Sequence, residues 1–377
     1  MAARLRATVR ADETVARLGG DEFVVVCLLD EPQALVLALE RILEAVAGPI
    51  WLSEHACSVT ASVGATLYPG DQGEPDVLLR HADQAMYQAK QQGRNRFHVF
   101  DPEVDREVVA FRKLRARIEQ AIVDGELCLQ YQPIVNFSES RVEAVEALVR
   151  WRHPERGLLA PGDFLPMLEG TELMVKLDDW VLAQVGAQAR VWLAAGRRLG
   201  LSINLSVHRL LTPGFINHLT QLLRDCPGLQ PADIQLEIVE TKTSVGIEAV
   251  AAVVRDCVEL GCTVALDDFG TGFSSLSYFR ALPAQTLKID QTFGHDMLED
   301  EDSLRIVEGV IGLARTFERR VVAEGVESSA QAVLLRRLGC DRGQGYGIAH
   351  PMFAAQLAQW IDQFSPDPAW TAAGNGH

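Results

Sequence analysis

No stretch of this 377-residue chain approaches a long apolar run; about 18 consecutive apolar residues are needed to cross a bilayer. The N-terminus also lacks the apolar core of a signal peptide, so the chain reads as soluble, with no membrane segment. Cysteine is sparse and scattered: seven residues, at 27, 57, 128, 226, 257, 262 and 340, with no Cys-x-x-Cys pair. An odd, dispersed set excludes both a disulfide framework and a zinc site, and it fits a reducing, cytoplasmic compartment. Basic charge is also short. Lys and Arg total 35 against 51 Asp and Glu, a net charge of −16, which excludes a nucleic-acid polymer as partner because phosphate-backbone binding needs a basic face. A small anionic ligand stays compatible if metal ions and a few local cations offset its charge.

The length allows two or three domains. Residues 1–103 alternate strand-like and helical runs ("EFVVVCLL", "PQALVLALERILEAVAG", "CSVTASVGATLYP", "PDVLLRHADQAMYQAKQQG", "RFHVF") and form a small α/β unit. Residues 104–124 place Phe111, Leu114, Ile118 and Ile122 at helical spacing, so a connecting helix is expected there. From 125 to 364 a strand–helix rhythm repeats through "LCLQYQPIVN", "VEAVEALVRW", "LGLSINLSV", "IQLEIVET", "TVALDDFG", "TLKID", "RVVAEGVE" and "GQGYGI". Apolar strands alternating with helices predict a TIM-like (β/α) barrel, since both faces of a parallel sheet must be covered. The first two strands are adjacent, so the barrel should be irregular there. The segment 365–377, "SPDPAWTAAGNGH" from Ser365, is turn-rich and expected to be a disordered tail.

The chemistry shows in what the later strands carry near their C-terminal ends: Glu146, Asn204, Glu237, Asp267 with Asp268, Lys288, Glu324 and Gln344. In a β/α barrel those ends converge on one face. A single acid at a strand end is ordinarily a helix cap or an ion-pair partner. Five carboxylates on one face cannot all stay ionised without cations. Oxygen donors in that number suit hard divalent ions, Mg²⁺ or Mn²⁺, and an Asp-Asp pair can serve two of them. Hydrolysis of a phosphate ester is the reaction class this predicts. By contrast, His153 beside Pro154 reads as a loop cap, and Trp151, Trp180 and Trp192 as packing residues.

The ordered motifs "EALVR" (Glu146–Arg150), "NLS" (Asn204–Ser206), "EIVET" (Glu237–Thr241), "LDDFGTGFSSL" (Leu266–Leu276), "LKID" (Leu287–Asp290), "AEGVE" (Ala323–Glu327) and "QGYGIAHPM" (Gln344–Met352) resemble the EAL family of cyclic-di-GMP phosphodiesterases. The resemblance implies that Glu146, Asn204, Glu237 and Asp267 hold one metal, with Asp267 bridging to a second completed by Asp268 and Glu324. It implies that Lys288 hydrogen-bonds the attacking water, with Glu324 and Asp268 beside it in the catalytic set. Asp290 would support the second metal, Arg150 would meet a substrate phosphate, Gln344 would seat the ligand, and Glu240 would anchor the "DDFGTG" loop with Gly270 and Gly272. Two Mg²⁺ or Mn²⁺ ions per site, inhibition by Ca²⁺, the product pGpG and a homodimer through this domain are further implications. Val239 stands where the family commonly has Thr, and Phe273 where Tyr is common; neither removes a metal ligand. Related domains that have lost ligands act as non-catalytic cyclic-di-GMP receptors or partner-binding modules; here the ligand set is complete.

"LGGDEF", with "SVGAT" and "ADQAMYQAKQQGRN", resembles the GGDEF diguanylate cyclase family: Gly19, Gly20, Asp21, Glu22 and Phe23 are intact. That family places a metal-bearing strand and two helices ahead of this hairpin, whereas eighteen residues precede Gly19 here. An incomplete GGDEF-like domain, with no cyclase activity, is therefore expected before the barrel. Glu13 stands where the family's inhibitory Arg-x-x-Asp site, matched by Arg10, has its Asp, so product inhibition at that site is not expected.

Overall fold

The computed structural model of the chain describes residues 1–377 except 53–54, 58, 92, 240–245, 270–275 and 373–377, and gives the backbone alone at 50–52, 55–57, 91, 102–112, 239, 276–278, 295 and 371–372. Two compact units, Met1–Leu114 and Arg115–His377, divide it.

In the first unit, strands Thr14–Gly19 and Glu22–Val26 form an antiparallel hairpin. Gly20, at φ +50°, supplies the left-handed turn. Helices Ala2–Thr8 and Ala34–Ala47 bury Leu5, Ile42 and Val46, against which Val15, Phe23, Val25, Ala61 and Val63 pack. Helix Pro75–Gln91 crosses between the parallel strands Val63–Ala65 and Phe97–Val99. Helix Pro102–Val123 runs across the division between the units.

The second unit is the barrel. Its strands are β1 (Leu127–Asn136), β2 (Arg141–His153), β3 (Gly200–Asn204), β4 (Ile234–Val239), β5 (Thr263–Phe269), β6 (Thr286–Ile289), β7 (Arg320–Ala323) and β8 (Arg342–Gly343). Strands β3 to β8 are parallel neighbours in order, β8 pairs with β1, β1 with β2, and β2 with β3, which closes the ring. The irregularity expected at the first two strands is there: β1 is antiparallel to both β8 and β2.

Period two decides what each short strand buries. On β3, Leu201 and Ile203 are buried apolar residues while Ser202 and Asn204 alternate with them; β4 sets Ile234, Leu236 and Ile238 against Gln235 and Glu237; β6 sets Leu287 and Ile289 against Thr286 and Lys288. The apolar sets pack outward under helices such as Glu172–Ala194, where Leu177, Val181, Leu182, Val185, Ala189 and Trp192 are buried; each buried Leu or Val side chain contributes about 1.5–3 kcal/mol. The polar sets face the barrel interior.

Residues 365–372 differ from the expected disordered tail. Helix Pro368–Ala372 buries Trp370, whose ring meets Phe137 edge-on at 5.1 Å, and one large aromatic outweighs the turn-forming composition around it.

Candidate active site

The interior polar residues converge on Lys288, a fully buried ammonium on β6. Its Nζ lies 2.6 Å from Glu324 Oε1, 2.9 Å from Glu237 Oε2, 3.2 Å from Asp267 Oδ1 and 3.4 Å from Glu146 Oε2. The Asn204 amide donates to Glu146 Oε1 at 2.6 Å, and the Gln344 amide donates to Glu146 Oε2 at 2.6 Å and to Gln132 Oε1 at 2.9 Å. Carboxylate oxygens of Asp267, Asp268 and Glu324 lie within 4.8 Å of one another. All eight residues singled out on the seven strands therefore share one site. Glu146 sits in the middle of β2 rather than at its end, because β2 continues past the mouth to pair with Gly157–Leu159.

Asp268 has a left-handed backbone, φ +54°, unusual for a residue other than glycine. Its amide donates to Asp267 Oδ1 at 3.0 Å. That kink lets two consecutive strand residues offer carboxylates to the same site, which an undistorted strand forbids. Asp290 caps the next helix, accepting from Thr292 N at 2.9 Å, and interacts with the Asp268 carboxyl. Arg150, half-buried, donates through Nε to Gln130 Oε1 at 2.8 Å. Glu240, Gly270, Gly272 and Phe273 lie outside the described residues. Gly19, Gly20, Asp21, Glu22 and Phe23 belong to the other unit, where Glu13 accepts from the backbone amides of Arg10 and Leu28. His153 is a loop cap, its Nδ1 accepting from Glu155 N and Arg156 N at 3.2 Å.

Three supporting residues escaped the sequence reading. Ser202 donates to Glu237 Oε1 at 2.5 Å, Gln235 donates to Ser202 at 2.9 Å, and Thr286 donates to Gln235 at 3.0 Å. Each stands two residues before, or on the neighbouring strand beside, a singled-out residue. Alternation along β3, β4 and β6 is the signal that could have found them.

Electrostatically the cluster holds more acid than one ammonium can balance. Burial opposes ionisation of Glu146, but Lys288 and the two amides outweigh it and hold this carboxyl below the usual range. Burial, reinforced by Glu146, pushes Glu237 well up, and burial likewise raises Asp267 against the pull of Lys288. Burial carries Asp268 to about 6, with the Asp267 charge adding to it, and Glu324 to about 8 despite Lys288. Lys288, although desolvated, is held well above the ordinary lysine range by its four carboxylates.

Such a site suits added cations. The donors are hard oxygens, and Asp267, Asp268 and Glu324 can share one ion. Gln344 Oε1 is buried with no hydrogen-bond partner among the described residues. Divalent ions would displace the protons that burial keeps on Glu237 and Glu324.

Comparison with known proteins agrees with this geometry. A family model described as "EAL domain" matches residues 115–351, and one described as "Diguanylate cyclase, GGDEF domain" matches residues 1–96. Over 359 residues the chain is 39% identical to the bifunctional diguanylate cyclase/cyclic di-GMP phosphodiesterase MucR of Pseudomonas aeruginosa, covering 95% of this chain and 52% of that protein. It is 34% identical to the cyclic di-GMP phosphodiesterase PdeR of Escherichia coli, covering 94% of this chain and 53% of that one. The chain thus spans about half the length of these curated relatives. Among solved structures it is similar to the PaMucR phosphodiesterase in its c-di-GMP complex, at 38% identity and a TM-score of 0.61, over 65% of this chain and 99% of that one.

Proposed function

This chain belongs to the EAL domain family, and from that membership we propose that its barrel hydrolyses cyclic-di-GMP to linear pGpG with two divalent ions, Mg²⁺ or Mn²⁺. The observation that carries the reading is the convergence of Glu146, Glu237, Asp267 and Glu324 on Lys288, with Asp268 in reach. Glu146, Asn204, Glu237 and Asp267 would hold one ion, and Asp267, Asp268 and Glu324 the other. Bound, such ions supply Lewis-acid polarisation of the diester and compensate its charge.

The residues themselves do the positioning. Lys288 Nζ, fixed among carboxylates, orients the attacking water toward phosphorus, while Glu324 and Asp268 flank it and take its proton. The P–O3′ bond then breaks, and the proton taken from the water passes from the carboxylate that took it to the leaving 3′ oxygen. Arg150 offers its guanidinium to the non-reacting phosphate, where a planar fork outperforms an ammonium. Gln344, tied to Glu146 and Gln132, seats the ligand. Asp290 supports Asp268. The Glu240 anchor and a homodimer through this domain complete the proposal. Cyclase chemistry is not part of this proposal.

The test is incubation of the purified chain with cyclic-di-GMP and Mg²⁺ or Mn²⁺, followed by chromatography. Appearance of pGpG that stops with a chelator is expected. Binding without turnover would replace the hydrolase with a receptor.

A further inference from the structure

Beneath the carboxylate cluster a line of side-chain hydrogen bonds crosses the barrel interior from β6 to β4 to β3. Thr286 Oγ1 donates to Gln235 Oε1 at 3.0 Å, Gln235 Nε2 donates to Ser202 Oγ at 2.9 Å, and Ser202 Oγ donates to Glu237 Oε1 at 2.5 Å. Strand β5 lies between β4 and β6, yet its residue at this level is Ala265, in register with both Glu237 and Thr286. Only a methyl stands there, which leaves the Gln235 side chain room to reach across. Ser202, Glu237 and Thr286 are each no more than 1% exposed, and in so dry a setting every satisfied bond is strong and every missing one costly.

The chemistry of the groups fixes the direction of the whole line. A ligating carboxylate can only accept, so the Ser202 proton must point at Glu237. The Ser202 lone pair is then open to the Gln235 N–H, which turns the amide oxygen toward the Thr286 hydroxyl. The two oxygens of Glu237 consequently face different ways. Ser202 lies two residues before Asn204 on β3, deeper in the barrel, and it holds Oε1 there. Oε2 lies in the cluster, 2.9 Å from Lys288 Nζ. One oxygen of Glu237 is presented to an ion, not two.

We infer that Ser202, oriented by Gln235 and Thr286, is a positioning residue that restricts Glu237 to ligation through one oxygen and thereby sets the preference of the site for Mg²⁺ over Ca²⁺; this rests on the two-ion reading above. Mg²⁺ demands near-octahedral geometry, whereas Ca²⁺ tolerates higher coordination and readily takes both oxygens of one carboxylate. Pinning Oε1 withholds the second oxygen from the larger ion. Released, Glu237 can turn and offer both.

Mg²⁺ and Ca²⁺ should each be titrated by calorimetry into the chelator-stripped parent chain, Ser202→Ala, Thr286→Val and Thr286→Ser. Loss of a group that orients a metal ligand costs about 10–100-fold in affinity. Here the loss should fall on Mg²⁺, lowering the ratio of Mg²⁺ to Ca²⁺ affinity by about tenfold or more in Ser202→Ala. Thr286→Val keeps the shape of the side chain, removes only the far hydroxyl and should move the ratio the same way by a smaller factor; Thr286→Ser, which retains the hydroxyl, should restore it. If Ser202→Ala does not fold, the Thr286 pair still decides the matter. Equal weakening of both ions, or a parental ratio in the folded variants that lack a hydroxyl, overturns the positioning role and leaves the hydrolase reading intact. A parent chain that binds neither ion and forms no pGpG overturns the two-ion reading, and the role of Ser202 with it.

Discussion

Replacing Lys288 with Met keeps the length of the side chain and removes its charge. In the metal-free protein that ammonium is fully buried and within 3.4 Å of four carboxylates. Breaking a buried ion pair by removing one partner costs about 3–5 kcal/mol, because the remaining charge is left uncompensated. For a domain of this size that corresponds to a loss of roughly 6–20 °C in melting temperature. Protonation of the acids softens the penalty. Glu324 already titrates at about 8 and Glu237 well above its ordinary value, chiefly through burial. A carboxyl whose folded pKa is raised favours the folded state below its unfolded pKa, and that contribution is lost as pH rises through the folded value. Without Lys288 these values climb further, so the gap between variant and parent should widen from about pH 5.5 to about pH 8. A divalent ion supplies the missing positive charge, and at about 100 times its Kd it returns about 2.7 kcal/mol. Calorimetry with chelator and with Mg²⁺, at both pH values, reads all of this. A metal-free Lys288→Met protein that melts with the parent at about pH 8 would refute the account of the cluster.

Glu146→Ala should abolish pGpG formation while far-UV circular dichroism stays parental, since the side chain serves the cluster and the strand is held by its backbone; wild-type turnover would remove Glu146 from the site. Mg²⁺ or Mn²⁺ should raise the melting temperature by relieving carboxylate repulsion, whereas Ca²⁺, larger and more loosely coordinated, should bind yet inhibit hydrolysis; equal turnover with Ca²⁺ would contradict a two-ion site. Asp178, buried and accepting from Ser206 Oγ at 2.5 Å, is pushed up to about 7 by burial. Its folded pKa exceeds the unfolded one, so the parent should lose on the order of 2–3 kcal/mol relative to Asp178→Asn between about pH 5 and pH 8; parallel urea titrations of the two proteins would count against it.

Much of the barrel and of its site was legible in the chain. Apolar alternation dictated the strands, because on a strand every second side chain faces the same way, and the acids, amides and lysine of the seven strands had to meet once the ring closed. The residues beneath them, Ser202, Gln235 and Thr286, followed the same alternation but carry side chains too ordinary to stand out. Other features exist only in three dimensions. The place of Lys288 among four acids depends on side chains from five strand segments, with sequence separations up to 142 residues. Local sequence likewise did not reveal the left-handed kink at Asp268, which turns two neighbouring carboxylates toward one site, or the burial of Trp370 against Phe137, which overrides a turn-rich composition. Tyr346 shows the division most sharply. In sequence it is one aromatic in a glycine-rich stretch, and only the backbone of Val326 and Glu327, pressed against the glycines on either side, decides that its ring stands in water at the mouth of the barrel.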